Sequence, residues 1–142
     1  MTTRTQILDR HGIEPSLDDS TVADIEVPIL TSLQRQGDVI IRPVDRAPTA
    51  GAIRVPPEGV ALVVGEATGN THLLAPEPEA LVWWRPAPTS FDGGVVLGEI
   101  HVQTGAAWLI HTDEHGIHGI GPGIYEARGK RTQREEIERV QD

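Results

Sequence analysis

The sequence predicts a mainly β protein, a small antiparallel barrel or two-sheet sandwich with an N-terminal arm and a short C-terminal helix. Three observations carry this. Short β-branched runs recur at close intervals, no helical period separates them, and fifteen glycines and eleven prolines punctuate the 142 residues. Strands joined by Gly and Pro turns pair antiparallel, whereas βαβ units need helices between their strands. A barrel or sandwich then buries the strand faces and limits open edges.

Residues 1–36 form the arm. Within it, Thr5 to His11 suits a short helix with Ile7 and Leu8 inward and Gly12 as a left-handed cap. An acidic stretch from Glu14 to Glu26 follows. Then comes Val27-Pro28-Ile29-Leu30-Thr31-Ser32-Leu33, apolar enough to lie on the body or on a neighbouring subunit. The β domain spans 37–131. Val39 to Val44 opens it after the turn pair Gly37-Asp38, and Val60 to Val64 follows Pro56-Pro57-Glu58-Gly59. The chain reverses at Gly69-Asn70 and runs back as a strand carrying His72. Leu81 to Trp84 is bracketed by prolines, and Val95 to Val102, Ala107 to Ile110 and Ile124 to Ala127 complete the set. Trp83 and Trp84 are adjacent and so face opposite sides, one in the core and one under a loop or at an interface. Residues 132–142 read as the helix, because Thr132-Gln133-Arg134-Glu135 has capping-box spacing.

A net charge of -9 argues against nucleic acid and anionic lipid as partners, since both repel an acidic chain. The cluster Arg128, Lys130, Arg131 and Arg134 runs straight into Glu135, Glu136 and Glu138, which reads as a solvated face. Without cysteine there is no disulfide, thiolate nucleophile or thiolate metal site. The first residues lack a signal-peptide h-region, and no window approaches the ~18 apolar residues of a membrane span. A cytoplasmic protein is expected, or a virion component if the chain is phage-encoded.

Chemistry concentrates in the histidines. His111, His115 and His118 lie in one short, turn-rich stretch, and His72 follows the Gly69-Asn70 turn. Neutral imidazole is the commonest ligand for first-row metals. His72, His111, His115 and Glu114 are therefore the candidate ligands for Zn, Fe or Mn, with Glu66 or Glu114 as base or fourth ligand. The order His111-Thr112-Asp113-Glu114-His115 matches the inverted zinc-protease motif in spacing, but the glycines that follow deny it a helix. His118 reads as solvated, and Glu99 with His101 as a cross-strand or subunit contact on one strand face.

Four pieces stand in order: Gly37-Asp38-Val39, then Gly65-Glu66-Ala67-Thr68-Gly69-Asn70-Thr71-His72, then His111 to His115, then Pro122-Gly123-Ile124-Tyr125. Over residues 37 to 142 this resembles a group of small bacterial and phage-associated β-proteins. Their pattern runs Gly-Glu-x-Thr-Gly-His-x-His, His-x-x-Glu-His and Pro-Gly-x-Tyr. Asn70 stands where that pattern has its first His, which weakens any metal site here.

Two functions follow. One is a non-catalytic binding or assembly module that self-associates or joins other structural proteins, in keeping with the phage-associated resemblance. The other is a metal-dependent enzyme of small, cupin-like β-barrel type using the His cluster. Asn70, and the lack of a second catalytic constellation, favour the module.

Overall fold

Eleven strands and one helix form among the residues that the computed structural model describes, 2–13, 25–64, 71–87, 96–112 and 116–129. Helix α1 spans Arg4–Arg10 and buries Ile7 and Leu8, with Gly12 beyond it at φ +67. Its start is set by a capping box. The Thr3 hydroxyl accepts from the Gln6 amide, and the Gln6 side chain accepts from the Thr3 amide. The helix expected at 132–142 lies outside the described residues.

The strands make two sheets. The first contains β1 (Ile29–Leu30), β10 (Gly116–Ile120), β9 (Ala107–His111), β6 (Thr71–Pro76) and β5 (Val60–Val64), in that order. The second runs β2 (Gln34–Gln36), β3 (Val39–Pro43), β11 (Gly123–Gly129), β8 (Val96–Thr104), β7 (Leu81–Pro86) and β4 (Ile53–Arg54). All pairings are antiparallel except that of β1 with β10.

Both sheets contribute to one core, which includes Ile41, Leu74, Val82, Trp84, Ile100, Leu109 and Tyr125. The sheets are not closed into a barrel. Where β2 and β10 come together, glutamine side chains stand in for a backbone ladder: Gln34 Nε2 donates to the Gly119 carbonyl at 2.9 Å. The barrel alternative fails because this seam is side chain to backbone, which leaves two facing sheets.

Strand β9 is buried along its whole length, so both its faces are covered. Ala107 and Leu109 point into the inter-sheet core. Trp108 and Ile110 point the other way, into a second cluster with Ile7, Leu8 and Val27. Helix α1 and part of the arm thus lie on the outer face of the five-stranded sheet. The arm also supplies β1 and β2, so the segment 1–36 is partly built into both sheets.

On the outer face of the six-stranded sheet, Glu99 is buried under the 44–52 loop. Arg46 forms an ion pair with it, and the Thr49 amide (2.8 Å) and hydroxyl (3.0 Å) both donate to it. Burial would push this carboxyl up, but those donors outweigh it and hold it below its usual value. The Glu99 side chain therefore ties down a loop of its own chain. His101 pairs with Trp83 and Ile124 across strands, as the period of two suggested. Trp84 is the core tryptophan, while Trp83 donates to Gln103 on the outer face.

Candidate functional site: a buried histidine pair

Two of the four proposed metal ligands meet. His72 on β6 and His111 on β9 are direct register partners, each 3% exposed. They share the inner face of their sheet with Leu74 and Leu109, at one end of the sandwich. Their rings stack, with centroids 4.4 Å apart and planes 6° from parallel. Glu66, Glu114 and His115 lie outside the described residues. Among the described residues no three His, Asp or Glu side chains are grouped closely enough to hold a metal.

The pair is held from the opposite sheet by Gln36, itself 5% exposed. Its Nε2 donates to the Leu109 carbonyl at 2.8 Å and to the Gly116 carbonyl at 3.0 Å. Two carbonyls fix which end of the amide is nitrogen, because a flipped amide would set oxygen against oxygen. Gln36 Oε1 must then accept, and His72 Nδ1 donates to it at 2.9 Å. The consequence is chemical. In neutral His72 the proton sits on Nδ1 and the lone pair on Nε2, the way an outer partner sets a ligand tautomer.

Gly37 closes the site. It sits first in the two-residue turn between β2 and β3, at φ +54, a conformation glycine adopts freely. A Cβ there would lie 3.4 Å from His72 Cε1 and 3.8 Å from His111 Cε1.

Ring geometry limits what this pair can do. A metal lies close to the plane of each imidazole that binds it, ~2.0–2.1 Å from nitrogen. Two planes so nearly parallel do not meet within that reach. In this arrangement the rings do not chelate one ion together; one would have to turn away from the stack.

His118 corrects an expectation. Instead of being solvated in a loop, it lies within β10, half-buried, opposite Leu109 and on the same inner face as His72 and His111. Residues 116–120 form a strand despite their glycines because the arm approaches closely. A Cβ on Gly119 would stand 2.4 Å from the Pro28 carbonyl oxygen. The sequence signal available was the alternation of Ile117 and His118 between glycines, which reads as a turn when the arm is not in view.

Burial pushes the His118 imidazole below the ordinary value of 6.5; burial, and then Arg10, do the same at His11. A histidine with a lowered folded pKa binds fewer protons than the unfolded chain, so stability rises with pH through this window. Thermal melts are expected to show a lower Tm at pH about 5.5 than at pH about 7.5. The lowered Glu99 carboxyl adds a further loss below 4.5. Replacing His118 with glutamine is expected to flatten the histidine part of the profile. An unchanged profile would contradict the assignment.

A protein-family model described as Domain of unknown function (DUF8820) matches residues 35–130. It takes in Gln36, both paired histidines and all of β3 to β11, and leaves out α1 and β1. No curated protein and no solved structure matches the chain.

Proposed function

We propose that this chain, which belongs to the DUF8820 family, is a non-catalytic assembly module that binds further copies of itself through its arm. One observation carries the reading. The large apolar side chains left exposed gather on one short stretch: Ile25 at 56%, Ile29 at 48%, Leu30 at 43% and Leu33 at 59%. Only Ile53 joins them from elsewhere among the described residues. Exposed apolar surface concentrated in one place marks an interaction site.

Strand β1 pairs with β10 on one side and, among the described residues, with no strand on the other. Its free backbone edge can take a strand from a second copy, and two such edges related by a two-fold axis bring the same apolar residues together. A structural lattice, in a cell or a virion, is the wider form of this reading; the resemblance to phage-associated β-proteins supports it. Among the described residues no helix is long and apolar enough to cross a membrane. The metal-dependent alternative draws support from the Nε2 lone pair on His72 and is opposed by the parallel rings.

The test is an Ile29→Glu, Leu33→Glu double variant, examined by light scattering at micromolar concentration. Wild-type protein is expected to exceed the protomer mass of 15.4 kDa and the variant to fall to it while keeping a folded circular-dichroism spectrum, because both side chains are exposed in the single chain. A wild-type protein that is monomeric under those conditions would remove the reading.

A further inference from the structure

A cleft of about 730 Å³ opens at the other end of β6 from His72, where α1, the segment after β4 and the β6–β7 turn converge. That is the size of pockets that take small organic ligands. Its floor includes Val55 and Ala80, 2% and 6% exposed, the edge of the inter-sheet core. Pro56, Pro57, Pro76 and Pro78 wall it. Proline fixes its own backbone, so this wall is formed before any ligand arrives.

The hydrogen-bonding supply is uneven. The four prolines have no N–H, and the amides of His11, Val55, Glu77 and Ala80 donate to carbonyls within the chain. Donors for a ligand therefore come chiefly from the Arg10 and Arg54 side chains. Neither guanidinium has an ion pair among the described residues, and neither do Glu77 and Glu79, which line the same cleft. Burial and Arg10 lower the His11 pKa, which favours its neutral form. The lining thus holds two cations and two anions, none of them in an ion pair among the described residues.

The turn that presents the acids is held in an unusual shape. Glu79 has φ +70, a left-handed conformation that a residue with a side chain seldom adopts. The Ala80 amide donates to the Glu77 carbonyl, and the Glu77 amide to the Ala106 carbonyl, which fixes the turn. Gly105 packs against Ala80 so closely that a Cβ there would lie 2.7 Å from the alanine methyl. Strained backbone kept in place by its surroundings is a recurrent property of ligand sites.

We propose that this cleft binds a small zwitterionic ligand with an apolar body, a short peptide with free ends being the type. Its carboxylate pairs with Arg54, its ammonium with Glu79, and its apolar part lies on the prolines and on Val55, with Arg10 and Glu77 the second cation and anion of the same lining. Guanidinium suits carboxylate because its fork of donors matches both oxygens. A dianion such as phosphate fits less well, since it meets the two glutamates. The site is independent of the assembly reading and lies away from the histidine pair.

Calorimetric titration of the full chain with trialanine bearing free ends tests it. Saturable binding is expected. Arg54→Gln and Glu79→Gln should each weaken it at least about tenfold, the loss of one charge-assisted hydrogen bond. Trialanine acetylated and amidated at its ends should not compete, and inorganic phosphate should bind more weakly than the free peptide. The Arg54→Gln melting curve should match wild type, as that side chain is exposed and without an ion pair among the described residues. No saturable binding at millimolar peptide, equal binding of the capped form, or tighter binding of phosphate would each overturn the proposal.

Discussion

Replacing Gln36 with leucine is expected to destabilise the protein by about 3–6 kcal/mol, a large part of the stability of a domain this size. One buried amide serves three partners from the other sheet: the Leu109 carbonyl, the Gly116 carbonyl and His72 Nδ1. Leucine fills a similar volume but leaves all three without that partner in a place water reaches poorly. Each buried group left unsatisfied costs about 1–3 kcal/mol. Gln36→Glu is the informative companion. It keeps an acceptor for His72 but sets carboxylate oxygen against the two carbonyls, so it too is expected to destabilise. Urea unfolding reads both. A loss below about 1 kcal/mol for the leucine variant would mean that the amide does not join the sheets in solution.

Gly119→Ala is expected to detach the arm. The new methyl would meet the Pro28 carbonyl oxygen at 2.4 Å, the Trp108 ring at 3.0 Å and Ile29 Cα at 3.1 Å. Two of these are backbone and cannot rotate away, so β1 must move off β10. Overpacking of this kind costs about 1–3 kcal/mol. Because β1 carries Ile29 and Leu30 of the exposed apolar strip, assembly should be lost as well, and the Gly121 amide, which donates to the Leu30 carbonyl, should lose its protection from hydrogen exchange. Gly116→Ala is the control: nothing lies within 4 Å of a Cβ there, and little change is expected. Equal behaviour of the two variants would contradict the close approach of arm and sheet.

Much of this architecture was readable from local chemistry. The α1 helix follows from Ile7, Leu8 and Gly12, and strands β3, β5, β7, β8, β9 and β11 follow from their β-branched runs and the turns between them. The hidden elements are instructive. Strand β2 buries glutamines at 34 and 36, so a search for apolar alternation passes over it. Its burial makes sense only once the carbonyls of Leu109, Gly116 and Gly119 are seen to receive those amides. Strand β10 was obscured by Gly116 and Gly119, one of which exists to admit the arm. Of the candidate site, the meeting of His72 and His111 was legible from two histidines at strand ends near turns. Their stacking was not, since nothing local specifies that Gln36 and Gly37 hold one ring flat against the other. The cleft beside Arg54 leaves no local signature in the sequence, because its parts come from segments far apart in the chain and none forms a motif.

Native mass spectrometry of the untagged chain tests the central claim most directly, because one spectrum reads both the size of the assembly and any bound metal. Self-association through the arm predicts a whole-number multiple of 15.4 kDa that the Ile29→Glu, Leu33→Glu substitutions reduce to a single protomer. A lone protomer carrying one tightly held transition-metal ion, lost on His72→Ala, would contradict it.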